Sequence, residues 1–182
     1  VLDCRGSGTW SGVISGMDWV AANHQKPAVA NMSLGGGANQ SVDDAASRLS
    51  DAGVFVAIAA GNDNANACNY SPARAARTTT VAASTSTDAK SSYSNHGSCV
   101  EIYGPGSSIT SSWHTSSTAT NTISGTSMAS PHVAGVAALY KATFGDAGWS
   151  TVNNWLTSNA TVGAITGNVT GTPNLLLFKG TL

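Results

Sequence analysis

The 182 residues predict an α/β domain: a three-layer, doubly wound, mainly parallel sheet with helices on both faces. Two observations carry that prediction. Short apolar runs of strand length, the longest being Val54 to Ala60, alternate with segments whose apolar residues recur at helical spacing. The runs are apolar at nearly every position, the pattern of strands covered on both sides.

The elements follow in order. Trp10 to Asn23 carries Val13, Ile14, Met17 and Val20 at helical spacing, with Ser11 as its expected cap and Lys26-Pro27 as its stop. Ala28 to Leu34 is a buried strand running into Gly35-Gly36-Gly37, where backbone can pass close to another chain. Ser41 opens a second helix that is acidic in its first turn and stops at Gly53. Val54 to Ala60 ends in Gly61-Asn62. Shorter strands are expected at Thr78 to Ser84 and Val100 to Tyr103, then a Ser/Thr-rich loop to Asn121. A helix opened by Ser127 runs to about Lys141, a short one spans Ser150 to Leu156, and Val162 to Phe178 forms a small antiparallel appendage turning at Gly163, Gly167 and Gly171. Without a repeat or a linker, the chain is one domain or part of one.

Composition excludes several partner classes. Eight basic residues against nine acidic ones leave a net charge of −1, too balanced for a nucleic-acid grip or a polybasic membrane patch. No apolar run is long enough to span a bilayer. The chain starts at Val1-Leu2-Asp3 as though inside an element already under way, so it is expected to be a carboxyl-terminal portion. Cys4, Cys68 and Cys99 match no zinc or redox spacing; they are either three buried thiols or an oxidised pair with one left over.

Chemistry concentrates at Gly125-Thr126-Ser127-Met128-Ala129-Ser130-Pro131-His132-Val133-Ala134-Gly135. A helix beginning here sets unpaired backbone N–H groups and partial positive charge beside the Ser127 oxygen, which suits an oxyanion. Pro131 is placed in a first turn that has no use for its missing N–H. Asn62 follows an apolar strand at the carboxyl end of the sheet, where open α/β folds place their sites. An amide there can donate to a tetrahedral oxyanion, worth roughly 2.7–4 kcal/mol where such a donor has been removed.

A serine nucleophile also needs a base and a carboxylate to orient it. His132 is excluded, because five residues along a helix is about 500° of rotation and leaves it about 140° round from Ser127. His24, His96 and His114 have no Asp at suggestive spacing. The site is half built. By itself the chain also fits a peptide-binding remnant without catalysis, whereas an esterase reading lacks the G-x-S-x-G elbow.

The Gly125–Gly135 stretch resembles the nucleophile motif of subtilisin-like serine proteases, and Ala59-Ala60-Gly61-Asn62 resembles their oxyanion-asparagine motif. Ser33-Leu34-Gly35-Gly36-Gly37 and Leu2-Asp3-Cys4-Arg5-Gly6-Ser7-Gly8 look like the two edges that hold an extended peptide. The match is nearest the proteinase K branch, with its secreted bacterial proteases of the aqualysin and Vibrio type, and runs from Val1 to about Lys141.

The resemblance implies a secreted endopeptidase with Ser127 as nucleophile and Asn62 as oxyanion donor. The Asp and His of the triad, which the family carries in Asp-Ser/Thr-Gly and His-Gly-Thr-His contexts, would lie on an amino-terminal segment outside these residues. It implies substrate edges at Gly6, Ser7 and Gly8 and at Ser33, Leu34 and Gly35, and a pocket walled by Ala59, Ala60 and Gly61 that admits bulky apolar side chains. Trp10 is either the wall of a further pocket or a core residue. The resemblance further implies a Cys68–Cys99 disulfide, a Cys4 partner outside the chain, a cis Ser71-Pro72 bond, and structural Ca²⁺ on the backbone carbonyls of Ala76 and Thr78 with the carboxylate of Glu101. The family usually has Asp in that last position; Glu101 is one methylene longer.

Overall fold

The computed structural model describes residues 1–182. In chain order the elements are α1 (Trp10–Asn23), β1 (Val29–Met32), β2 (Gly36–Gly37), α2 (Gln40–Asp51), β3 (Phe55–Ala59), a 3-10 turn (Ala67–Asn69), β4 (Tyr70–Ser71), β5 (Thr79–Ser84), β6 (Ile102–Pro105), β7 (Ile109–Ser112), β8 (Thr120–Ile123), α3 (Thr126–Phe144), α4 (Trp149–Asn159), β9 (Thr161–Val162) and β10 (Leu175–Leu176). The main sheet has the order β1-β3-β5-β6-β10-β9, parallel throughout except for the β10/β9 pair. β1 is an edge strand.

β3 shows why the sheet has two covered faces. All five of its residues are buried. Alternate side chains of a strand point to opposite faces; Phe55 and Ala57 accordingly pack with Val133, Ala137 and Leu156 of α3 and α4. Val56 and Ile58 pack on the other side with Val13 and Met17 of α1 and Val42 and Leu49 of α2. The three predicted layers are therefore present, with α1 and α2 on one face and α3 and α4 on the other.

Several local expectations are corrected. The cap of α1 is Thr9, whose Oγ accepts from Gly12 N at 3.1 Å; Ser11 already lies inside the helix. Likewise Asn39 caps α2, accepting from Val42 N, so Ser41 is a helical residue. Gly53, just past that helix, adopts φ +101°, the left-handed conformation that glycine takes without strain. The Ser/Thr-rich stretch expected to be a loop contains the β7/β8 hairpin, closed at one pair by Thr110 and Thr122 hydroxyls 2.7 Å apart. The expected carboxyl-terminal appendage is part of the main sheet, because Leu176 of β10 pairs with Tyr103 of β6.

Candidate active site

Two segments meet at the carboxyl end of the sheet. β3 delivers Ala59, Ala60, Gly61 and Asn62, while α3 begins with Thr126 and Ser127. Its cap is Gly125, with no side-chain bond, so Ser127 is the second residue of the helix instead of its opener.

Thr126, fully buried, binds the two segments together. Its N–H and its hydroxyl both donate to Asn62 Oδ1 at 2.9 Å, and its Oγ accepts from Gly61 N at 3.1 Å. With Oδ1 so engaged, Asn62 presents its amide nitrogen, the donor half of the side chain. Asn62 and half-buried Ser127 line one cleft of about 320 Å³. Its walls include Ala59, Ala60, Gly61, Ser33, Leu34 and Gly35. Asp63 and Tyr70 also line it, and the Tyr70 hydroxyl is pushed up from its ordinary value by burial and by hydrogen-bonded Asp63.

The turn that carries Asn62 is held by Asn95, which sequence reasoning passed over. Asn95 is completely buried; its Nδ2 donates to Ala60 O at 2.9 Å and its Oδ1 accepts from Asp63 N and Ala65 N at 3.0 Å each. Gly61 is compelled here: its φ is +104°, and a Cβ would lie 2.3 Å from Asn95 Nδ2. No local signal marks Asn95, since it satisfies backbone groups some 30 residues away.

The two expected substrate edges also come together. Gly6, Ser7 and Gly8 share a second cleft of about 290 Å³ with Ser33, Leu34 and Gly35. Trp10 lines that cleft and packs against the α1/α2 core as well, so both alternatives for it hold. The indole lies close against Gly36, where a Cβ would be 2.8 Å from Cζ2.

None of the four histidines lines the Ser127 cleft. His132 turns back so that its Nδ1 is 2.8 Å from Met128 O, and His24 does the same toward Val20 O at 2.9 Å. His96 pairs with Asn66 across an isolated bridge, and His114 packs its ring against Trp113. The Ser127 hydroxyl itself reaches only the carbonyl of Ser33, at 3.4 Å.

Cys68 and Cys99 form the disulfide, while Cys4 is free and exposed. The Ser71-Pro72 bond is cis, as is Lys26-Pro27. Ala76 O accepts from Ser47 Oγ at 2.8 Å, and Glu101 accepts from Thr80 N at 2.5 Å. Burial pushes the Glu101 carboxyl up to about 8, partly offset by the Thr80 N–H. No cluster of three His, Cys, Asp or Glu side chains suited to a metal exists.

On a parallel sheet flanked by helices, a serine in the first helical turn and an asparagine after a buried strand thus line one cleft of an α/β protein. Within the α/β class the family is clear from comparison. The subtilase family model matches residues 2–176, and the chain belongs to that family. It is 56% identical over 178 residues to an extracellular serine proteinase of Thermus sp. strain Rt41A, covering 98% of this chain and 43% of the relative. It is 53% identical over 179 residues to alkaline serine exoprotease A of Vibrio alginolyticus, covering 98% and 33%. The crystal structure of a cold-adapted subtilisin-like serine proteinase superimposes with TM-score 0.95 at 50% identity, over 98% of this chain and 64% of that one. The chain thus spans less than half the length of these two sequence relatives.

Proposed function

We propose that these residues are the carboxyl-terminal portion of a secreted serine endopeptidase, supplying the nucleophile Ser127, the oxyanion donor Asn62 and both substrate edges. The observation that carries this is the cleft lined by both Ser127 and Asn62, with Asn62 Oδ1 held by Thr126 so that its amide nitrogen is the half of the side chain left to donate. The general base and its orienting carboxylate belong to a segment outside these residues. That matches a cleft lined by no histidine and the uncovered edge of β1 beside it. A disulfide from Cys4 to that segment accounts for an exposed thiol in a chain whose other two cysteines are bonded. Secretion rests on the Cys68–Cys99 disulfide and on the extracellular relative; no helix is long and apolar enough to cross a membrane.

An extended peptide lies between Gly6-Ser7-Gly8 and Ser33-Leu34-Gly35, held by backbone hydrogen bonds, with the side chain before the scissile bond against Ala59, Ala60 and Gly61. The small walls favour a bulky apolar side chain. Ser127 Oγ attacks the peptide carbonyl carbon while its proton passes to the base. Negative charge on the former carbonyl oxygen is received by Asn62 Nδ2 and by N–H groups at the start of α3. The C–N bond breaks as the base returns the proton to the amine, and water then hydrolyses the Ser127 ester.

Ca²⁺ fits the third set of residues. Two backbone carbonyls, of Ala76 and Thr78, and the carboxylate of Glu101 are all oxygen donors, as a hard cation requires. Glu101 belongs to none of the six ion pairs, and its carboxyl, pushed up to about 8 by burial, would need a cation beside it to carry charge at neutral pH. Bound there, Ca²⁺ would be that cation and would brace the segment before β5.

The test is covalent. In the polypeptide that contains these residues together with the segment supplying the base, a serine-directed phosphonate, followed by peptide mass spectrometry, should place its adduct on Ser127 and nowhere else. An unlabelled Ser127 favours the second reading, a peptide-binding remnant, for which the lack of a base within these residues speaks directly.

A further inference from the structure

The first turn of α3 is pinned on two sides. Toward β3 the pin is Thr126 with Asn62, described above. Toward β1 four polar side chains close into a ring that neither the nucleophile nor the oxyanion donor explains. The Ser130 hydroxyl donates to Asn31 Oδ1 at 2.7 Å, and Asn31 Nδ2 donates to Ser33 Oγ at 2.9 Å. The Ser33 hydroxyl donates to the backbone carbonyl of Ser127 at 2.7 Å, and the Ser127 hydroxyl faces the Ser33 carbonyl at 3.4 Å.

Periodicity puts these four together. Residues three apart share a helix face, which aligns Ser127 with Ser130. Residues two apart share a side of a strand, which aligns Asn31 with Ser33. Pro131 explains why the ring includes a helix carbonyl at all. It is the sixth residue of α3, beyond the first turn in which the sequence had placed it. Residue 131 would normally donate to the carbonyl of residue 127. Proline has no N–H, so the Ser127 carbonyl is released from the helix ladder and taken up by Ser33.

Resting on the nucleophile role assigned to Ser127 above, we propose that Asn31 is a positioning residue: through Ser130 and Ser33 it fixes the Ser127 turn to the strand edge that holds the substrate. Ser130 is completely buried and its hydroxyl has no other side-chain partner, whereas Asn31 is exposed beside the cleft. Removing the Asn31 amide leaves the buried Ser130 hydroxyl unpaired, a cost to stability that Asn31→Asp avoids by keeping the acceptor. The removal also frees the turn to shift relative to the bound carbonyl, and a displacement on the order of 1 Å is enough to cost about 100-fold in rate.

The experiment is a double-mutant cycle in the polypeptide that contains these residues together with the segment supplying the base, assayed on a peptide with leucine before the scissile bond. Asn31→Ala and Ser33→Ala should each lower kcat about tenfold with KM within about twofold, and the double variant should be no slower than the worse single one. Asn31→Asp is the conservative control. It keeps the acceptor for Ser130 but draws the Ser33 hydroxyl away from Ser127, so it should lose kcat like alanine while melting at the wild-type temperature. Losses that multiply in the double variant, a loss confined to KM, or an Asn31→Asp variant with full kcat would overturn the positioning role alone. A wild-type protein without Ser127-dependent turnover would overturn the function it rests on.

Discussion

Asn62 and Asn95 show how differently two asparagines that meet at one turn can be read. Asn62 was legible because it ends an apolar strand in a Gly-Asn turn. Asn95, in a Ser/Asn/His/Gly stretch, was not, because its three partners are known only once the chain has folded. Both carry sharp expectations. Asn62→Leu should lower kcat by about 10²–10³ with KM nearly unchanged, as steady-state kinetics will show, because the donor acts on charge that exists only in the transition state. Asn95→Ala leaves the buried Ala60 carbonyl unpaired and lets go of Asp63 N and Ala65 N; at about 1–3 kcal/mol for the buried group, melting should fall by several degrees. Pro131 belongs at this scale too: its place was legible, its consequence for the Ser127 carbonyl was not.

Among the elements, type was easier to read than boundary. α1 matches the predicted range because its apolar spacing and the following proline delimit it from both sides. Its cap was displaced by two residues, since Thr9 and Ser11 are equally good caps on paper and only the backbone geometry at Thr9 selects between them. The β7/β8 hairpin escaped because most of its strand residues are Ser, Thr and Asn. They are paired through backbone and hydroxyl groups and bury little apolar surface to announce themselves. The Cys68–Cys99 pairing came from resemblance, not from spacing, and it staples the loop after β3 to the turn before β6. Replacing both cysteines with serine should lower the unfolding free energy by about 3.7 kcal/mol, measured by denaturant titration, given a separation of 31 residues.

For the molecule as a whole, the layered architecture was legible because strands apolar at every position leave few alternatives. The joining of β10 to β6 was not, since a two-residue strand carries no period. The proposed Ca²⁺ site draws on segments distant in sequence, residues 76 to 78 and Glu101. Thermal unfolding in excess Ca²⁺ against chelator should differ, by about 2.7 kcal/mol at a hundredfold excess over Kd, and Glu101→Gln should remove that difference.

The bare rim of β1 has a last consequence, for the behaviour of the polypeptide in solution. Its outward backbone groups form an unclaimed template, and beside it a largely apolar groove runs past Val1, Trp19 and Met32. Such a rim recruits whatever strand is available. Expressed without a companion segment, the protein should self-associate through this seam, its light scattering climbing with concentration. If the segment proposed to carry the base covers this rim, adding it in stoichiometric amount should return the protein to a single sedimenting species.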